Sequence, residues 1–221
     1  MFLAALAIVS LVVAAACALT IAFDIFVLGH RQRMRVMEVV WPVTALYLGP
    51  LAVVAYGAWG RPASAHSGGE REKPFPAVVA VGVTHCGAGC TLGDIAGAFL
   101  IFVLGIEIAG RSVWPELAAD YILAFALGIV FQYLAIAPMR GLGLRDGLVA
   151  AFEADALSLT AFEIGMFGWM LLAALVLTDG HPPMPDEPVY WLSMQVGMVL
   201  GFATAYPVNW WLIRSGIKEA M

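Results

Sequence analysis

Long apolar runs separated by short polar breaks organise this chain. Six runs stand out: Phe2 to Leu28, Val36 to Trp59, Ala77 to Ala109, Leu117 to Ala137, Leu148 to Leu177, and Val189 to Ile213. A helix needs about 20 apolar residues to cross a bilayer, and these runs reach that length. Unpaired backbone groups are too costly in hydrocarbon for anything but helices or a closed barrel. The runs are too long and too uniformly apolar for barrel strands, so the pattern predicts an all-α, integral membrane helical bundle of about six hydrophobic segments. It forms a single transmembrane domain over residues 1–221.

Composition agrees with the pattern. The chain is 62% hydrophobic and 12% charged, with a mean hydropathy of +0.90, whereas an ordinary soluble domain carries about twice that charge. Its formal net charge is −5, and the few Lys and Arg residues stand at run ends rather than on one patch, so nucleic acid is not an expected partner. The lipid bilayer is, and a homo-oligomer is possible. The first run has no positively charged segment ahead of it and continues past Cys17, so it reads as a membrane helix rather than a cleaved signal. Cys17 reads as a small packing residue. Three cysteines cannot supply a disulfide framework.

The breaks carry the charge. They read GHRQRMR, GRPASAHSGGEREKP, GRSVWPE, MRGLGLRDG and TDGHPPMPDEP, and the second predicts a mobile surface loop. Arg31, Arg33 and Arg35 follow the first run, while Arg140, Arg145, Arg214 and Lys218 flank the later ones. The positive-inside rule puts both sets in the cytoplasm. The stretch around His181 holds Asp179, Asp186 and Glu187 and no Lys or Arg, which suits the opposite side. Six simple crossings would place Arg31 and Arg140 on opposite faces. The conflict vanishes if one run enters and leaves by the same side. The third is the expected one, because it is long and carries Gly87, Gly89 and Gly93, and because Thr91 with Asp94 resembles a capping box that opens a new helix. The third segment is therefore expected to be broken or re-entrant around Thr84 to Asp94. Arg61, Arg71, Lys73 and Arg111 would then lie outside.

That stretch, THCGAGCTLGD, also concentrates the chemistry. His85, Cys86 and Cys90 offer an imidazole and two soft sulfurs, a set that suits Cu(I) or Zn(II). On a helix, Cys86, Cys90 and Asp94 share one stripe. Gly89, Gly93 and Gly97 form a second stripe, whose small-xxx-small spacing lets helices approach closely. Carboxyl groups deep in a membrane are expensive and mark ion or proton paths, which singles out Asp94 and Glu163. Glu153, Asp155 and Glu107 are expected nearer the interface, with Asp155 as a possible auxiliary group. Met166 with Met170, and Met194 with Met198, stand four apart, a spacing that can pass Cu(I) between thioethers. The Trp210–Trp211 pair reads as an interfacial anchor. Haem is disfavoured, because only His85 lies within a run, with His30 at an edge.

The strings THCGAGCTLGD, DYILAFALGIVFQY, APMR, DALSLTAF and YPVNWWLIRSGIKEAM together resemble a bacterial membrane-protein family known only as a domain of unknown function; the likeness runs over nearly the whole chain, and the His-Cys-Gly-Ala-Gly-Cys string is its most specific element. The resemblance implies a multi-pass protein of the bacterial inner (plasma) membrane, with the Arg31, Arg140 and Arg214 side cytoplasmic. It implies that His85, Cys86, Cys90 and Asp94 belong to the family signature, and it implies no activity. The residues themselves point first to binding, and transport or sensing, of a soft metal ion, with copper preferred over zinc. Three alternatives stay open. Cys86 and Cys90 suit a membrane thiol oxidoreductase, Asp94 and Glu163 suit a proton-coupled small-solute transporter, and the glycine stripe suits an assembly factor.

Overall fold

A computed structural model describes residues 2–62, 73–177 and 183–219 of the chain. Most of the predicted loop after Arg61, including Arg71, and the stretch holding Asp179 and His181 lie outside the described residues. Seven helices and no strand are present among the described residues. They are α1 (Phe2–Phe26), α2 (Met37–Leu48), α3 (Pro50–Ala55, continued by a π-helical turn Tyr56–Gly60), α4 (Phe75–Leu104), α5 (Val113–Arg140), α6 (Leu144–Leu172, continued by a π-helical turn Ala173–Leu177) and α7 (Pro188–Arg214). Helices α1, α4, α5, α6 and α7 are long and apolar enough to cross a membrane, and α2 is not.

The third apolar run is one unbroken helix, which corrects the expected break. All 30 residues of α4 are helical, through Gly87, Gly89 and Gly93. Thr91 caps nothing: its hydroxyl donates to the Gly87 carbonyl at 2.7 Å, within the same helix. Each glycine costs a free helix roughly 1 kcal/mol against alanine, but here the missing side chains admit α5. A β-carbon added at Gly89, Gly93 or Gly97 would collide with Gly128, Ala124 or Asp120 of α5, in that order. The two helices cross with backbones nearly touching, and packing offsets the poor local propensity.

The re-entrant element is the second run. Gly49 turns the chain at φ 53° and ψ −126°, a left-handed conformation open to glycine, and Pro50 starts α3. Helix α2 has 12 residues, about 18 Å of rise, against the ~30 Å of a hydrocarbon core. Both arms return to one level. Glu38, at the start of α2, accepts a 2.8 Å bond from Arg31, while Tyr56 donates to Asp24 at 2.8 Å and Arg61 pairs with the same carboxylate at 3.1 Å. The Trp41 and Tyr56 rings meet edge-on, with centroids 5.6 Å apart. At the tip, Gln195 of α7 donates to the Leu46 carbonyl at 2.7 Å and accepts from Ser10 of α1 at 2.7 Å.

This hairpin removes the charge conflict at a different place from the one expected. The end of α1 shares one buried cluster with Val36, Val81 and Ala135, so it lies on the side of the bundle where α4 starts and α5 ends. Pro76 accepts from Tyr206 at 3.1 Å, and Arg140 pairs with Glu219 at 2.7 Å, which adds the end of α7. Arg31, Arg33, Arg35, Arg61, Arg140, Arg145 and Arg214 therefore share one face, and among the described arginines Arg111 alone is opposite. Arg61 and Lys73, expected opposite Arg31, are on its side, because α3 carries the chain back before α4 begins. Single cysteines introduced at Arg33 and Arg61 should both react with an impermeant thiol reagent from the same side of a sealed vesicle, and one at Arg111 from the other. Labelling of Arg33→Cys and Arg61→Cys from opposite sides would overturn the hairpin.

Helix α1 is a peripheral span. Its run is apolar all round, and Leu3, Leu6, Val9, Val12, Leu19 and Phe23 are exposed, as expected of side chains facing lipid. The polar interior lies instead among α4 to α7, closed on one side by the tip of α2.

Candidate functional site

Two buried polar clusters meet at the thiol stripe of α4. The continuous helix places Cys86, Cys90 and Asp94 one turn apart on a single face, and all three are fully buried. Glu163 of α6 stands beside Cys90. Asp94 is within electrostatic reach of Glu163 and of Asp120 on α5, and Asp120 is within reach of Glu116, one turn away on the same helix. Glu116 accepts a 2.6 Å hydrogen bond from Tyr190 of α7. The result is a row of four buried carboxyls, Glu116, Asp120, Asp94 and Glu163, running inward from the Arg111 face to the thiols.

The row opens into a cavity. Glu116 and Tyr190 line it with Ser112, Met170, Met184 and Ser193, where α5, α6 and α7 end at the Arg111 face. Deeper in, hydrogen bonding stops. Both oxygens of Asp94, both of Glu163 and Oδ1 of Asp120 are buried without a hydrogen-bond partner. Buried charge without a partner costs several kcal/mol, so this row demands protons or cations to balance it.

The second cluster continues from Cys86 towards the Arg-rich face. The Cys86 sulfur lies 3.0 Å from Ser158 Oγ of α6. Ser158 accepts from the Asn209 amide of α7, and Asn209 Oδ1 accepts from Lys218 at 2.7 Å. Lys218 pairs with Asp155 at 2.6 Å, both side chains being fully buried. Asp155, expected near the interface, is therefore an interior group, and Lys218, expected in the cytoplasm, is folded into the bundle. Glu153, two residues from Asp155, is exposed on the outside of α6, and Glu107 is exposed beyond the end of α4. A helical repeat separates such neighbours by about 200°, so proximity in sequence does not set depth.

His85 is not brought to the thiols. One residue of helix turns a side chain by about 100°, and the His85 ring faces Phe131 of α5, with centroids 6.4 Å apart, while Cys86 faces α6. The imidazole is fully buried with neither nitrogen hydrogen-bonded, and Gln132 of α5 is in the same condition. Among the described residues no three His, Cys, Asp or Glu side chains are grouped to hold a metal ion. Met166, Met194 and Met198 do share a buried cluster with Cys86 and Cys90, and Met170 packs at its edge. Thr91 points its hydroxyl at the Met198 sulfur, 3.7 Å away. The thiols have different neighbours. Cys86 donates to the Val83 carbonyl at 3.3 Å, and Cys90 lies by Glu163.

The glycine stripe is already occupied. Gly89, Gly93 and Gly97 receive α5 of the same chain, so this face is not free to dock a second copy. Gly97 in particular makes room for Asp120, and the tight crossing is what carries Asp120 to Asp94. The tip of the re-entrant hairpin adds one more group. Tyr47 Oη lies 2.8 Å from where a β-carbon of Gly87 would stand, and its ring meets Phe162 edge-on at 6.4 Å.

Residues 77–218 match a protein family described as a domain of unknown function, DUF4396. The chain belongs to this family. The matched residues hold nearly all of α4 and the whole of α5 to α7, with the carboxyl row, the thiols, Asp155 and Lys218. Helices α1 to α3, with Tyr47, precede it. No curated protein and no solved structure matches the chain.

Glu116, Asp120, Ser158 and Tyr190 belong to the site without standing out in the sequence. One signal was available: Asp120 stands four residues after Glu116, inside an apolar run. For Ser158 and Tyr190 nothing local distinguishes an inward hydroxyl from one that faces lipid.

Proposed function

We propose that the protein conducts protons along the row Glu116, Asp120, Asp94 and Glu163, the path that proton-coupled transport of a small solute or ion across a membrane would use. One observation carries this reading: a contiguous row of buried carboxyls starts at a cavity on one face and reaches the bundle centre, with most of its oxygens unpartnered. Ionisable groups at such depth are rare and mark proton relays or ion paths by default. Carboxyl groups about one helical turn apart can hand a proton on directly or through one water. The membrane in this reading is a bacterial inner (plasma) membrane. Its Arg31, Arg140 and Arg214 face is cytoplasmic, which the positive-inside rule supports. The purified protein in liposomes with a trapped pH dye should collapse an imposed pH gradient when a potassium diffusion potential is applied. Gradient decay equal to that of empty liposomes, at both signs of potential, would sink the reading.

A second reading is Cu(I) transport with protons as the counter-charge. The observation favouring it is the burial of Cys86 and Cys90 in one cluster with Met166, Met194 and Met198. Two thiolates with nearby thioethers suit Cu(I) better than Zn(II), which takes four ligands drawn from thiolate, imidazole and carboxylate. His85 has no part in this version. Reduced protein supplied with copper should then hold stoichiometric metal that disappears in the Cys86→Ser, Cys90→Ser variant. Equal copper content in the two would leave the proton row as the whole site.

A further inference from the structure

The Lys218 ammonium occupies a place built for a cation. Its ligands are all oxygens: Asp155 Oδ1 at 2.6 Å, Asn209 Oδ1 at 2.7 Å and the Gly82 carbonyl at 3.4 Å. They come from α6, α7 and α4 respectively. The Asn209 amide is held in register, because its nitrogen donates to Ser158 and, at 3.0 Å, to the Ala205 carbonyl. Its oxygen is thereby turned to the cation. Asp155 keeps a further buried oxygen, Oδ2, with no partner. A carboxylate, an amide oxygen and a backbone carbonyl make a hard donor set, and nothing in it favours a soft metal.

The occupant arrives on the turn that follows α7. Helix α7 ends at Arg214, and the chain turns back through Gly216 at φ 74°. The amides of Ile217 and Lys218 both donate to the Leu212 carbonyl at 3.1 Å. Beyond that turn the next restraint is the Arg140–Glu219 pair, whose side chains are 42% and 40% exposed, and exposed pairs contribute little. Lys218 itself is 1% exposed. What holds Lys218 in the bundle is mainly its ammonium, seated among these oxygens.

We infer that Asp155, Asn209 and the Gly82 carbonyl form a binding site for ammonium-sized monovalent cations and primary ammonium groups, with Lys218 as a tethered occupant whose place a free cation takes when the lysine ammonium is absent. The site lies at the opposite end of the polar interior from the Glu116 cavity, and cation binding there is measurable whether or not protons move.

Full-length Lys218→Ala protein in detergent tests it, with thermal unfolding followed by tryptophan fluorescence. Methylammonium reproduces the lysine Nζ and Cε, and choline serves as a bulky control at equal ionic strength. The midpoint of Lys218→Ala should rise by about 5 °C at ~100 mM methylammonium and stay still in choline. Wild type, its site filled, should not respond, nor should Lys218→Ala combined with Asp155→Asn. A folded Lys218→Ala protein indifferent to methylammonium would overturn the inference, as would a response that survives Asp155→Asn. If Lys218→Ala is recovered only when methylammonium is present throughout purification, the site stands. If neither Lys218→Ala nor Lys218→Met is recovered with it, the ammonium cannot be supplied from solution and the inference fails.

Discussion

Glu163→Gln should reduce proton flux through the reconstituted protein at least about tenfold, with the fold intact. Glu163 is the innermost carboxyl of the row, 1% exposed, with no hydrogen-bond partner on either oxygen. The amide has nearly the same shape, so packing against Cys90 is kept, and it removes a group whose buried charge has no partner. Stability should therefore hold or rise. What is lost is the capacity to take up and release a proton in the middle of the path. Asp94→Asn should act in the same way, because Asp94 is within electrostatic reach of both Glu163 and Asp120. Glu163→Asp retracts the carboxyl by one methylene and should keep part of the flux. Glu153→Gln, exposed on the outside of α6, should keep all of it. Dye-loaded liposomes under a potassium diffusion potential give the comparison. Flux through Glu163→Gln equal to wild type would remove Glu163 from the path, and with it the row as the carrier.

Gly93→Leu should prevent the protein from being recovered as a folded, monodisperse species. A β-carbon at Gly93 would run into the backbone of Ala124 on α5, and backbone cannot move aside as the end of a flexible side chain can. Even Gly93→Ala should cost about 1–3 kcal/mol or more, against a helix-propensity gain of roughly 1 kcal/mol in its favour. Gly168→Ala is the matched control. It too lies within a helix, α6, but nothing stands within 4 Å of its added carbon, so propensity is left to act alone and stability should hold or rise. Thermal unfolding in detergent distinguishes the two. If Gly93→Ala and Gly168→Ala behaved alike, the α4–α5 crossing would be looser than described, and Asp120 would not be held against Gly97. The same pair separates internal packing from assembly, since the stripe meets α5 of its own chain and the Gly93→Ala defect should not depend on protein concentration.

The fold class and the extent of the membrane helices can be read from the sequence, because hydrophobicity over about 20 residues is a local property that the bilayer tests directly. The conflict among the charged breaks was legible too, and it required one run to return to its own side. Which run returns was not legible. Composition pointed to the third, where glycines gather, yet glycine has opposite meanings in two settings. At Gly49 it supplies a left-handed turn that ends a helix, and at Gly93 it supplies room for a neighbouring backbone inside one that continues. Only the partner, α5, distinguishes them. Adjacency misled in the same manner with His85 and Cys86, neighbours in the chain that a helix turns towards different helices. Asp94 and Glu163 could be singled out, since a carboxyl inside an apolar run is conspicuous by itself. Lys218 and Asp155 sit close to run ends, where a charge reaches water at small cost. Their burial arises from the reversal at Gly216 and from the oxygens of three helices converging on one ammonium, an arrangement that exists only once those helices have packed.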